Sequence, residues 1–555
     1  MIRIFTTAVI GLNVQIVEVE VDIRGAMPKF EIAGLAGKAV QESKERVISA
    51  IRNSGFEFPS KNIIVNLAPA DLPKSGTGYD LPIAIGILLA SGQVKSAKFE
   101  SSTKIILGEL SLNGAVRHVN GILPVADFLY SKKLNLKNNL NNEYLISESN
   151  IEEPDEKSNE LVKEIATEII HLNQSLKINY SNAELFVPEV DSTEAGLVKE
   201  INSYGINSLK EFADYLNELQ DIPKIEFNAE LDQDEVFEYD FSAVKGQKNA
   251  KRALEVAAAG GHNILLSGTP GSGKSLLAKS LPSILPKLTF PEALEVTRIY
   301  SVAGLLPKDK PIISIRQFRH PHHTASDVSL VGGGAYPKPG EISLAHRGLL
   351  FLDEFPEFSQ TALESLRQPL EDRIVTISRA TGSITFPANF MLIAAMNPCK
   401  CGWHGDPEKP CVCTSVDVSR YQKKVSGPIL DRIDLQVWVP RVNFDKLTQV
   451  EPEESSKDIK ERVQKAREVQ LERYKNNNLK IVQNSELPQK DLEKFIKIDE
   501  TSKALLKNAV EKLNLSARSY FRLLKVARTI ADLELVDSIS SSHVAEALSY
   551  RLQQE

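Results

Sequence analysis

The sequence predicts an α/β protein of more than one domain, and three observations support this prediction. The chain has 555 residues, which is more than one hydrophobic core usually organises. The short apolar run Asn263–Ser267 is followed by a glycine-rich turn and a helical start at Leu276–Lys279, the order of a buried parallel strand and its helix. The composition, with 42% hydrophobic and 25% charged residues, is that of an ordinary globular protein.

The first part of the chain, residues 1–175, is predicted to be an α/β domain. Val14–Val21 and Asn62–Leu67 are rich in β-branched residues, which indicates strands. Between them, Gln41–Asn53 places its apolar residues at helical spacing. Residues 139–160 are rich in Asn, Glu and Ser, so we expect an exposed insertion there.

Three further segments complete the predicted organisation. Residues 186–240 are acidic and contain Pro188 and Pro223, so we expect an acidic linker. Residues 241–445 are predicted to form a second α/β domain, because the buried-strand pattern recurs there. Residues 446–555 are charged and are predicted to be helical.

Charge and hydropathy limit the classes of protein. The net charge of −7 gives no overall basic field that would indicate nucleic acid, although a groove can be locally basic on an acidic body. Met1–Thr7 lacks the features of a secretory signal, and the apolar run Leu81–Ala90 is too short to cross a bilayer. We therefore expect a cytoplasmic protein with no membrane partner, in which thiols stay reduced.

The glycine-rich turn after Asn263–Ser267 has the complete pattern of a phosphate-binding loop. Its members are Gly268, Thr269, Pro270, Gly271, Ser272, Gly273, Lys274 and Ser275. Glycines let successive backbone N–H groups point at anionic oxygens, and the following helix adds the positive end of its dipole. Lys274 is expected to reach the β- and γ-phosphates of ATP, and the Ser275 hydroxyl to bind Mg²⁺. The alternative is a surface glycine turn.

Two later strands end in polar residues suited to hydrolysis. Gly348–Leu352 is followed by Asp353 and Glu354, the form of a Walker B element. We expect Asp353 to hold Mg²⁺ and Glu354 to polarise the attacking water. The apolar run Phe390–Met396 ends at Asn397, which is placed to orient that water. The alternative for Asn397 is a strand-capping side chain.

Two arginines follow at informative positions. Arg432 precedes a predicted strand, and Arg518 opens the predicted helix Ser516–Leu533. A guanidinium aimed at a γ-phosphate lowers the transition-state energy, and one supplied by a neighbouring subunit makes hydrolysis depend on assembly. An ordinary surface ion pair is the alternative for both.

The order of these elements resembles that of the AAA+ ATPases, and more narrowly the magnesium-chelatase-like branch known as the ComM or YifB family. The matching strings are Val244–Gln247, Ala257–Asn263, His320–Thr324, Gly332–Gly334, Pro339–His346 and Asn397–Cys399. The resemblance implies that Arg432 is the arginine finger, Asn397 the first sensor and Arg518 the second sensor on a helical lid, in a homohexamer that uses ATP and Mg²⁺. It also implies a DNA helicase that promotes branch migration during natural transformation.

Two segments are candidates for contact with DNA. The connection from Ser275 to Asp353 is longer than two neighbouring core strands need, and we expect its excess to form a projecting loop, which contains His320–His323, Gly332–Gly334 and Lys338–Gly340. The segment Ile374–Phe386 alternates around a Thr-Gly turn and predicts a hairpin, which lines the central pore in related AAA+ motors. The side chains expected to follow single-stranded or branched DNA are Lys338, Arg379, His322 and His323. For the histidines, hydrogen bonding near the nucleotide is an equal alternative.

All four cysteines of the chain lie within one short segment, as Cys399, Cys401, Cys411 and Cys413. Two C-x-C pairs joined by a Gly/Pro loop can place four thiolates around one tetrahedral ion, and sulfur ligands favour Zn²⁺. Four protein ligands leave no open position, so the predicted site is structural. Reduced thiols without a metal are the alternative.

The front domain resembles the proteolytic domain of Lon-type peptidases, through Pro73–Leu81 and Gly108–Val116. The resemblance places Gly78 at the position of the catalytic serine and Leu123 at that of the lysine, so we expect no peptidase activity. Ser75 with Lys74 or Lys61 is a conceivable substitute pair. A retained fold then serves ring assembly or DNA contact.

The sequence therefore predicts a hexameric ATPase that moves along DNA. The main alternative is a magnesium-chelatase-type ATPase that remodels a protein partner. A zinc-stabilised scaffold without enzymatic activity is the third alternative, and the complete set of nucleotide residues disfavours it.

Overall fold

The computed structural model divides the chain into two compact units. Unit 1 comprises Met1–Glu230 and Thr297–Ile312, and unit 2 comprises Leu231–Val296 and Ile313–Glu555. The structure describes residues 1–25, 27–34, 37–72, 74, 76–95, 97–145, 178–226, 231, 237–307, 310–334, 337–379, 382–442, 453–512 and 515–551. No helix within these ranges is long and apolar enough to cross a membrane.

Unit 1 is built on a seven-stranded mixed sheet in the order β3-β4-β2-β1-β5-β8-β9. Its strands are β1 (Ile2–Ile10), β2 (Asn13–Arg24), β3 (Lys29–Ala33), β4 (Asn62–Ala68), β5 (Lys104–Ile106), β8 (Glu184–Pro188) and β9 (Asn202–Ile206). A small hairpin joins β6 (Glu109–Leu110) to β7 (Val116–Arg117). The predicted strands at residues 14–21 and 62–67 lie within β2 and β4, which pair in antiparallel fashion.

The helices of unit 1 cover this sheet. They are α1 (Lys38–Asn53), α2 (Asp80–Ala90), α3 (Ala97–Glu100), α4 (Ile122–Leu145), α5 (Ser192–Ala195) and α6 (Leu209–Leu216). α1 confirms the helix predicted at residues 41–53. α2 is apolar around its whole circumference and buries all but its last residue, which makes it the centre of the core.

The acidic linker predicted at residues 186–240 is wrong for the part that the structure describes up to residue 226. This part holds β8, β9 and α6, and β8 pairs in parallel with both β5 and β9. The rings of Phe186 and Tyr204 stack with centroids 4.9 Å apart, and Phe186 also lies 4.9 Å from Phe212. These aromatic partners belong to different elements, so the acidic composition of the segment did not reveal the core that they form.

Unit 2 is built on a five-stranded parallel sheet in the order β11-β14-β17-β10-β18. Its strands are β10 (Ile264–Ser267), β11 (Phe318–Arg319), β14 (Leu349–Leu352), β17 (Met391–Met396) and β18 (Leu435–Trp438). Every residue of β10, β14 and β17 is buried, which explains why these strands are continuous apolar runs. The parallel α/β architecture predicted for this region is confirmed.

The remaining elements of unit 2 are helices and two hairpins. The helices are α7 (Lys248–Gly260), α8 (Lys274–Ser280), α9 (Phe290–Ala303), α10 (Asp327–Val331), α11 (Glu341–Leu344), α12 (Gln360–Ser365), α13 (Arg367–Asp372), α14 (Ser415–Gln422), α15 (Gly427–Leu430), α16 (Ser456–Asn476), α17 (Leu492–Phe495), α18 (Glu500–Lys512), α19 (Ala517–Leu533) and α20 (Ser541–Ser549). The hairpins are β12 (Gly332–Gly333) with β13 (Lys338–Pro339), and β15 (Ile374–Arg379) with β16 (Gly382–Pro387). α9 begins in unit 2, and its last residues, from Thr297, belong to unit 1.

The connection from Ser275 to Asp353 contains both core and turn elements. α9 buries Ala293, Val296 and Ile299, so this part of the connection is core. In the part predicted to project, the first two glycines of the triplet pair with Lys338 and Pro339 in the β12–β13 hairpin. The glycines and prolines of that part therefore include a short hairpin and are not loop throughout.

The C-terminal helices pack on the sheet domain, as the helical prediction for residues 446–555 requires. The buried residues of α16 and α19 share one hydrophobic cluster with those of α7. Arg467 Nη2 donates to the Ala258 carbonyl at 3.2 Å, and Gln470 Nε2 donates to the Ala259 carbonyl at 3.1 Å. Side chains of α16 therefore provide hydrogen-bond donors for carbonyl groups near the end of α7. The predicted boundary at residues 445 and 446 lies outside the described residues.

Candidate functional site

The phosphate loop leaves the carboxyl end of β10 and ends where α8 begins at Lys274. Gly271 and Gly273 have φ angles of 77° and 91°, which favour glycine. A Cβ at Gly268 would lie 2.3 Å from the Val439 carbonyl oxygen, so this position has no room for a side chain. The loop therefore has its predicted place between a buried strand and a helix N-terminus.

Lys274 lies at the centre of the loop. Its ammonium donates to the carbonyl oxygens of Gly268 and Thr269, at 2.8 and 2.9 Å, and to Asn397 Oδ1 at 3.3 Å. Burial lowers the pKa of Lys274 to about 8, although Asp353 acts in the opposite direction. The lysine is thus held by neutral carbonyl groups, which a phosphate can replace with stronger charge-assisted hydrogen bonds.

Ser275 and Asp353 meet beside the lysine. The Ser275 hydroxyl donates to Asp353 Oδ2 at 2.7 Å, and Asp353 Oδ1 accepts from the Glu354 backbone N–H at 2.9 Å. A hydroxyl and a carboxylate are hard oxygen donors of the kind that Mg²⁺ prefers. The predicted magnesium residues are therefore in contact and chemically suited to the ion.

Glu354 projects from a turn with φ 51°, in the left-handed region, immediately after β14. Its side chain is 55% exposed, and its Oε2 lies 3.0 Å from His323 Nδ1. His322 instead contacts the Thr324 hydroxyl through Nδ1 at 2.9 Å. The contact of His323 with the Walker B acid favours the alternative that this histidine serves the nucleotide site rather than DNA.

Asn397 follows β17 and faces the phosphate loop through its contact with Lys274. The next turn of the chain also touches this loop. A Cβ placed on Gly402 would lie 2.5 Å from Pro270 Cγ and 4.0 Å from Asn397 Cγ. The segment that carries the cysteines therefore packs directly on the outer side of the phosphate loop.

The four cysteines converge as predicted. Cys399 Sγ lies 3.4 Å from Cys401 Sγ and 3.7 Å from Cys411 Sγ, and the sulfurs of Cys401 and Cys411 are 3.5 Å apart. With Cys413, the sulfurs all lie within 4.8 Å of one another. A tetrahedron with Zn–S bonds of about 2.3 Å has S···S edges of about 3.8 Å, so this geometry fits Zn²⁺.

The pKa values of the thiols shift in different directions, since that of Cys401 is lowered whereas those of Cys411 and Cys413 are raised. Hydrogen bonds from the backbone of Trp403 and then Val412 lower the pKa of the Cys401 thiol to about 6. The Lys409 ammonium lies 4.3 Å from the centre of the Trp403 ring. The segment is thus held by local hydrogen bonds and by a cation–π contact, and the structural role predicted for the cluster agrees with these contacts.

Arg432 and Arg518 are brought together, but at a different place from Lys274. Arg432 Nε lies 3.3 Å from Glu371 Oε2, and Arg518 Nη2 lies 3.1 Å from Glu371 Oε1. Burial, and then the proximity of Arg518, lowers the pKa of Arg432. In the described part of the chain, both predicted phosphate-sensing arginines therefore share one carboxylate instead of contacting the phosphate loop.

The two sets of residues lie at opposite edges of the parallel sheet. We call the residues that follow β10, β14 and β17 the carboxyl edge, which holds Lys274, Asp353 and Asn397. The residues that precede β10, β17 and β18 form the amino edge, where Arg432 lies. Ligands of open α/β sheets collect at the carboxyl edge.

The DNA candidates receive partial support. Lys338 is exposed on β13. The predicted hairpin is confirmed, because β15 pairs with β16 in antiparallel fashion. The pairing runs from Ile374 opposite Pro387 to Arg379 opposite Gly382. The side chain of Arg379 lies outside the described residues. A DNA contact by these residues stays a prediction.

Some residues around the site had no role assigned from the sequence. Gln247 Nε2 donates to the Ser272 carbonyl at 3.1 Å and so holds the phosphate loop from outside. Asn263 Nδ2 donates to the Arg432 carbonyl at 3.1 Å. Gln247 and Asn263 lie in strings that carried the family resemblance, whereas the pairing of Glu371 with two distant arginines has no local signal.

In unit 1, the two positions that the resemblance to Lon-type peptidases assigns to the catalytic serine and lysine hold Gly78 and Leu123. The Leu123 backbone N–H donates to Glu194 Oε1 at 2.7 Å, and the Gly78 carbonyl accepts from the Gly108 N–H at 3.1 Å. Lys74 is buried and donates to the Pro69 carbonyl. Ser75 lies outside the described residues, so its pairing with Lys74 or Lys61 stays a prediction.

Comparison with known proteins gives consistent matches along the chain. Residues 240–447 match the family model described as "Magnesium chelatase, subunit ChlI". Residues 19–139 match the model described as "Subunit ChlI of Mg-chelatase". Residues 453–551 match the model of the C-terminal part of magnesium chelatase subunit ChlI. A partial relative is the magnesium-chelatase 38 kDa subunit of Rhodobacter capsulatus, with 27% identity over 29% of this chain and 50% of that protein.

Two relatives match over nearly their whole length. Competence protein ComM of Haemophilus influenzae is 38% identical over 99% of this chain and 97% of that protein. The uncharacterized protein YifB of Escherichia coli is 38% identical over 99% of this chain and 96% of its own length. The site geometry and these full-length similarities agree, and the chain belongs to the ComM/YifB family of magnesium-chelatase-like AAA+ proteins.

Proposed function

We propose that this chain is an ATP-hydrolysing motor that acts on DNA as a cytoplasmic homohexamer and promotes branch migration during natural transformation. ATPase activity with ATP and Mg²⁺ is what membership of the family implies. The link to competence rests on the name of the Haemophilus relative. The DNA track, the direction of action and the hexamer belong to the proposal.

One observation carries the ATPase part of the proposal: lysine, hydroxyl, carboxylate and amide converge at one edge of the sheet. Lys274 contacts Asn397 at 3.3 Å, and Ser275 contacts Asp353 at 2.7 Å, although these pairs are far apart in sequence. A nucleoside triphosphate needs these groups together, because catalysis of phosphoryl transfer consists mostly of positioning and charge stabilisation.

Each residue has a separate task in this scheme. The phosphate loop and Lys274 bind the β- and γ-phosphates, and Ser275 and Asp353 hold the magnesium ion, which neutralises phosphate charge when bound. Glu354 accepts a proton from the attacking water, and the Asn397 amide orients that water. For this, the Glu354 carboxylate has to exchange its contact with His323 for one with water.

The arginines support an assembly. Arg432 and Arg518 are paired with Glu371 and not with the carboxyl edge of their own sheet. An arginine that acts on a γ-phosphate from a neighbouring copy gives hydrolysis that depends on ring closure. A homohexamer, which the family resemblance implies, supplies such a neighbour for each nucleotide.

The zinc and Lon-like assignments complete the proposal. We assign the four cysteines to one structural zinc ion, because their Sγ atoms all lie within 4.8 Å of one another. We also propose that unit 1 is a Lon-like domain without peptidase activity, because Gly78 and Leu123 offer neither a nucleophile nor a base. Its function is then ring assembly or DNA contact.

The experiment that tests the proposal is an ATPase assay of the full chain with no DNA, with single-stranded DNA and with a branched junction. We expect hydrolysis that DNA stimulates, together with junction migration that requires ATP. Hydrolysis without any response to DNA contradicts the motor and favours the alternative. Absence of hydrolysis under all conditions rejects the ATPase assignment itself.

The alternative function is a magnesium-chelatase-type ATPase that remodels a protein partner. It is favoured by the match of residues 240–447 to the chelatase subunit model. The ComM and YifB relatives, however, match over the whole chain, whereas the 38 kDa chelatase subunit matches over 29% of it. The DNA response in the same assay separates the two functions.

A further inference from the structure

A cavity in unit 2 lies at the amino edge of the sheet, away from the phosphate loop. It has a volume of about 610 Å³ and is lined by residues that precede three strands, Asn263, Phe390 and Asp434. β10 separates Asn263 from the phosphate loop by four residues, or about 13 Å of extended chain. The cavity is therefore distinct from the site that Lys274 forms in the same chain.

Two cations in the wall of this cavity lack an acidic partner. Arg373 Nη2 donates to the Ser485 carbonyl at 2.8 Å, and Lys525 Nζ donates to the same oxygen at 3.1 Å. Within the described ranges, neither side chain forms an ion pair with a carboxylate. Burial lowers the pKa of Lys525 to about 8, which shows how poorly its charge is compensated.

The carboxylates in the wall are mostly engaged with other cations. Asp434 pairs with Arg522 at 2.7 Å, and Glu486 pairs with Arg347 at 3.0 Å. Glu371 is occupied by Arg432 and Arg518, and Asp372 is exposed to solvent. Two partly buried cations on one carbonyl, with no carboxylate of their own, are costly unless an anion joins them.

We propose that this cavity is a second phosphate site, in which Arg373 and Lys525 bind the phosphates of a polyphosphate or nucleoside triphosphate. The volume is within the range of small-ligand sites, and guanidinium and ammonium groups together are the usual partners of phosphate. Arg518 also lines the cavity, and the bound anion displaces Glu371 from it. Glu371 thus occupies the site in the absence of the phosphate.

The phosphates can come from two sources with the same chemistry. One is a free polyphosphate or nucleotide in solution. The other is the triphosphate held by the phosphate loop of a neighbouring copy, and this source rests on the proposed hexameric ATPase. The first source predicts binding by a single chain, and the second predicts that one chain supplies the cavity and another supplies the nucleotide.

The first arm of the test uses the full chain with Lys274→Ala, because this substitution removes the principal phosphate ligand of the loop. The protein is diluted until sedimentation shows single chains. Inorganic tripolyphosphate is titrated by calorimetry. If the source is free, we expect one site per chain, weakened at least tenfold by Arg373→Met or Lys525→Met and strengthened by Glu371→Gln. Arg373→Lys keeps the charge and is expected to retain binding, which separates loss of charge from misfolding.

The control substitutions in this arm are Arg24→Met and Lys503→Met, because both side chains are more than half exposed and pair with neighbouring acids. They are expected to leave tripolyphosphate binding unchanged. Thermal melting of every variant establishes that it folds. The measurement does not depend on ATP hydrolysis, so it tests the cavity even if the proposed function fails.

The second arm mixes Lys274→Ala chains with chains that carry both Arg373→Met and Lys525→Met and measures ATPase activity. If the source is the neighbouring copy, each variant alone loses at least tenfold in rate and the mixture regains activity. The inference is overturned if Lys274→Ala chains bind no tripolyphosphate and mixing restores nothing. It is equally overturned if Arg373→Met with Lys525→Met changes neither binding nor hydrolysis.

Discussion

The two edges of the parallel sheet in unit 2 differ in what their charged groups contact. At the carboxyl edge, Lys274 is held by carbonyl and amide oxygens, and the acid Asp353 lies near it. At the amino edge, Arg432 and Arg518 are neutralised by Glu371. The lysine of one edge is therefore held by neutral groups, whereas these two arginines of the other edge share a carboxylate within the chain.

This difference teaches that a nearly complete set of catalytic residues does not make one chain a complete catalyst. The carboxyl edge has the residues predicted to bind a triphosphate and position water, but Arg432 and Arg518 share Glu371 at the other edge. The amino edge has arginines and no phosphate loop. Under the proposed function, hydrolysis requires that the carboxyl edge of one copy meets the amino edge of another.

The largest expected effect is at the amino edge. Arg432→Ala is expected to lower kcat for ATP by about 10³- to 10⁵-fold, because a phosphate-directed arginine stabilises the transition state by that order. ATP affinity of the single chain should be unchanged. Steady-state hydrolysis and fluorescent-nucleotide binding measure the two quantities, with Arg24→Ala as an exposed control. A variant with wild-type hydrolysis would contradict the division of labour between the edges.

The next effect concerns the water-activating acid of the carboxyl edge. Glu354→Gln is expected to lower kcat by about 10²- to 10⁴-fold while ATP stays bound, because the amide keeps the shape but cannot accept a proton. Retention of radiolabelled ATP through gel filtration measures this state. Glu357→Gln, in an exposed pair with Lys424, is the control. Wild-type turnover in Glu354→Gln removes Glu354 from its assigned role.

The lysine of the carboxyl edge acts on binding itself. Lys274→Ala is expected to raise the Kd for ATP by about 10- to 150-fold, since a hydrogen bond to a charged group contributes about 1.5–3 kcal/mol. Calorimetry with ATP and Mg²⁺ measures it. Lys279→Ala, one turn further along α8 and directed at the Tyr239 ring, should have little effect. Equal affinities of the two variants would show that the phosphate loop does not hold the nucleotide.

The smallest expected effect tests whether the segment that carries the cysteines supports the carboxyl edge. Cys411→Ser is expected to release zinc, lower the melting temperature and raise the Kd for ATP about three- to tenfold, which corresponds to about 1 kcal/mol. Elemental analysis should give one zinc per wild-type chain. Val412→Ser is the control, because Val412 is 83% exposed in the same segment. A wild-type chain without zinc refutes the metal assignment.

The carboxyl edge could be predicted from the sequence because its information is local. β10, β14 and β17 are short and fully buried, so each is a continuous apolar run, and a chemically distinctive residue follows each of them. Lys274, Asp353 and Asn397 each come after one of these strands in the sequence. Because the strands are parallel, the three residues share one edge of the sheet. The cysteine cluster was predictable for the same reason.

The amino edge and unit 1 were less predictable because their contacts join distant segments. Glu371 meets Arg432 and Arg518 only after α13, the start of β18 and α19 have packed together. β8 and β9 were taken for linker because their aromatic partners come from α6 and from each other. The hydrophobic periodicity of a short stretch of sequence does not reveal contacts between segments that are distant along the chain.

The contact between Gly402 and Pro270 also sets an order in time. The ribosome makes the phosphate loop long before it makes the turn that packs on the loop's outer side. A nascent chain that ends before residue 402 therefore has the loop without its supporting wall. Under the proposed function, nucleotide binding with the mature geometry begins only after translation has passed β17 and the turn that follows it, so that a truncated translation product lacks the mature pocket.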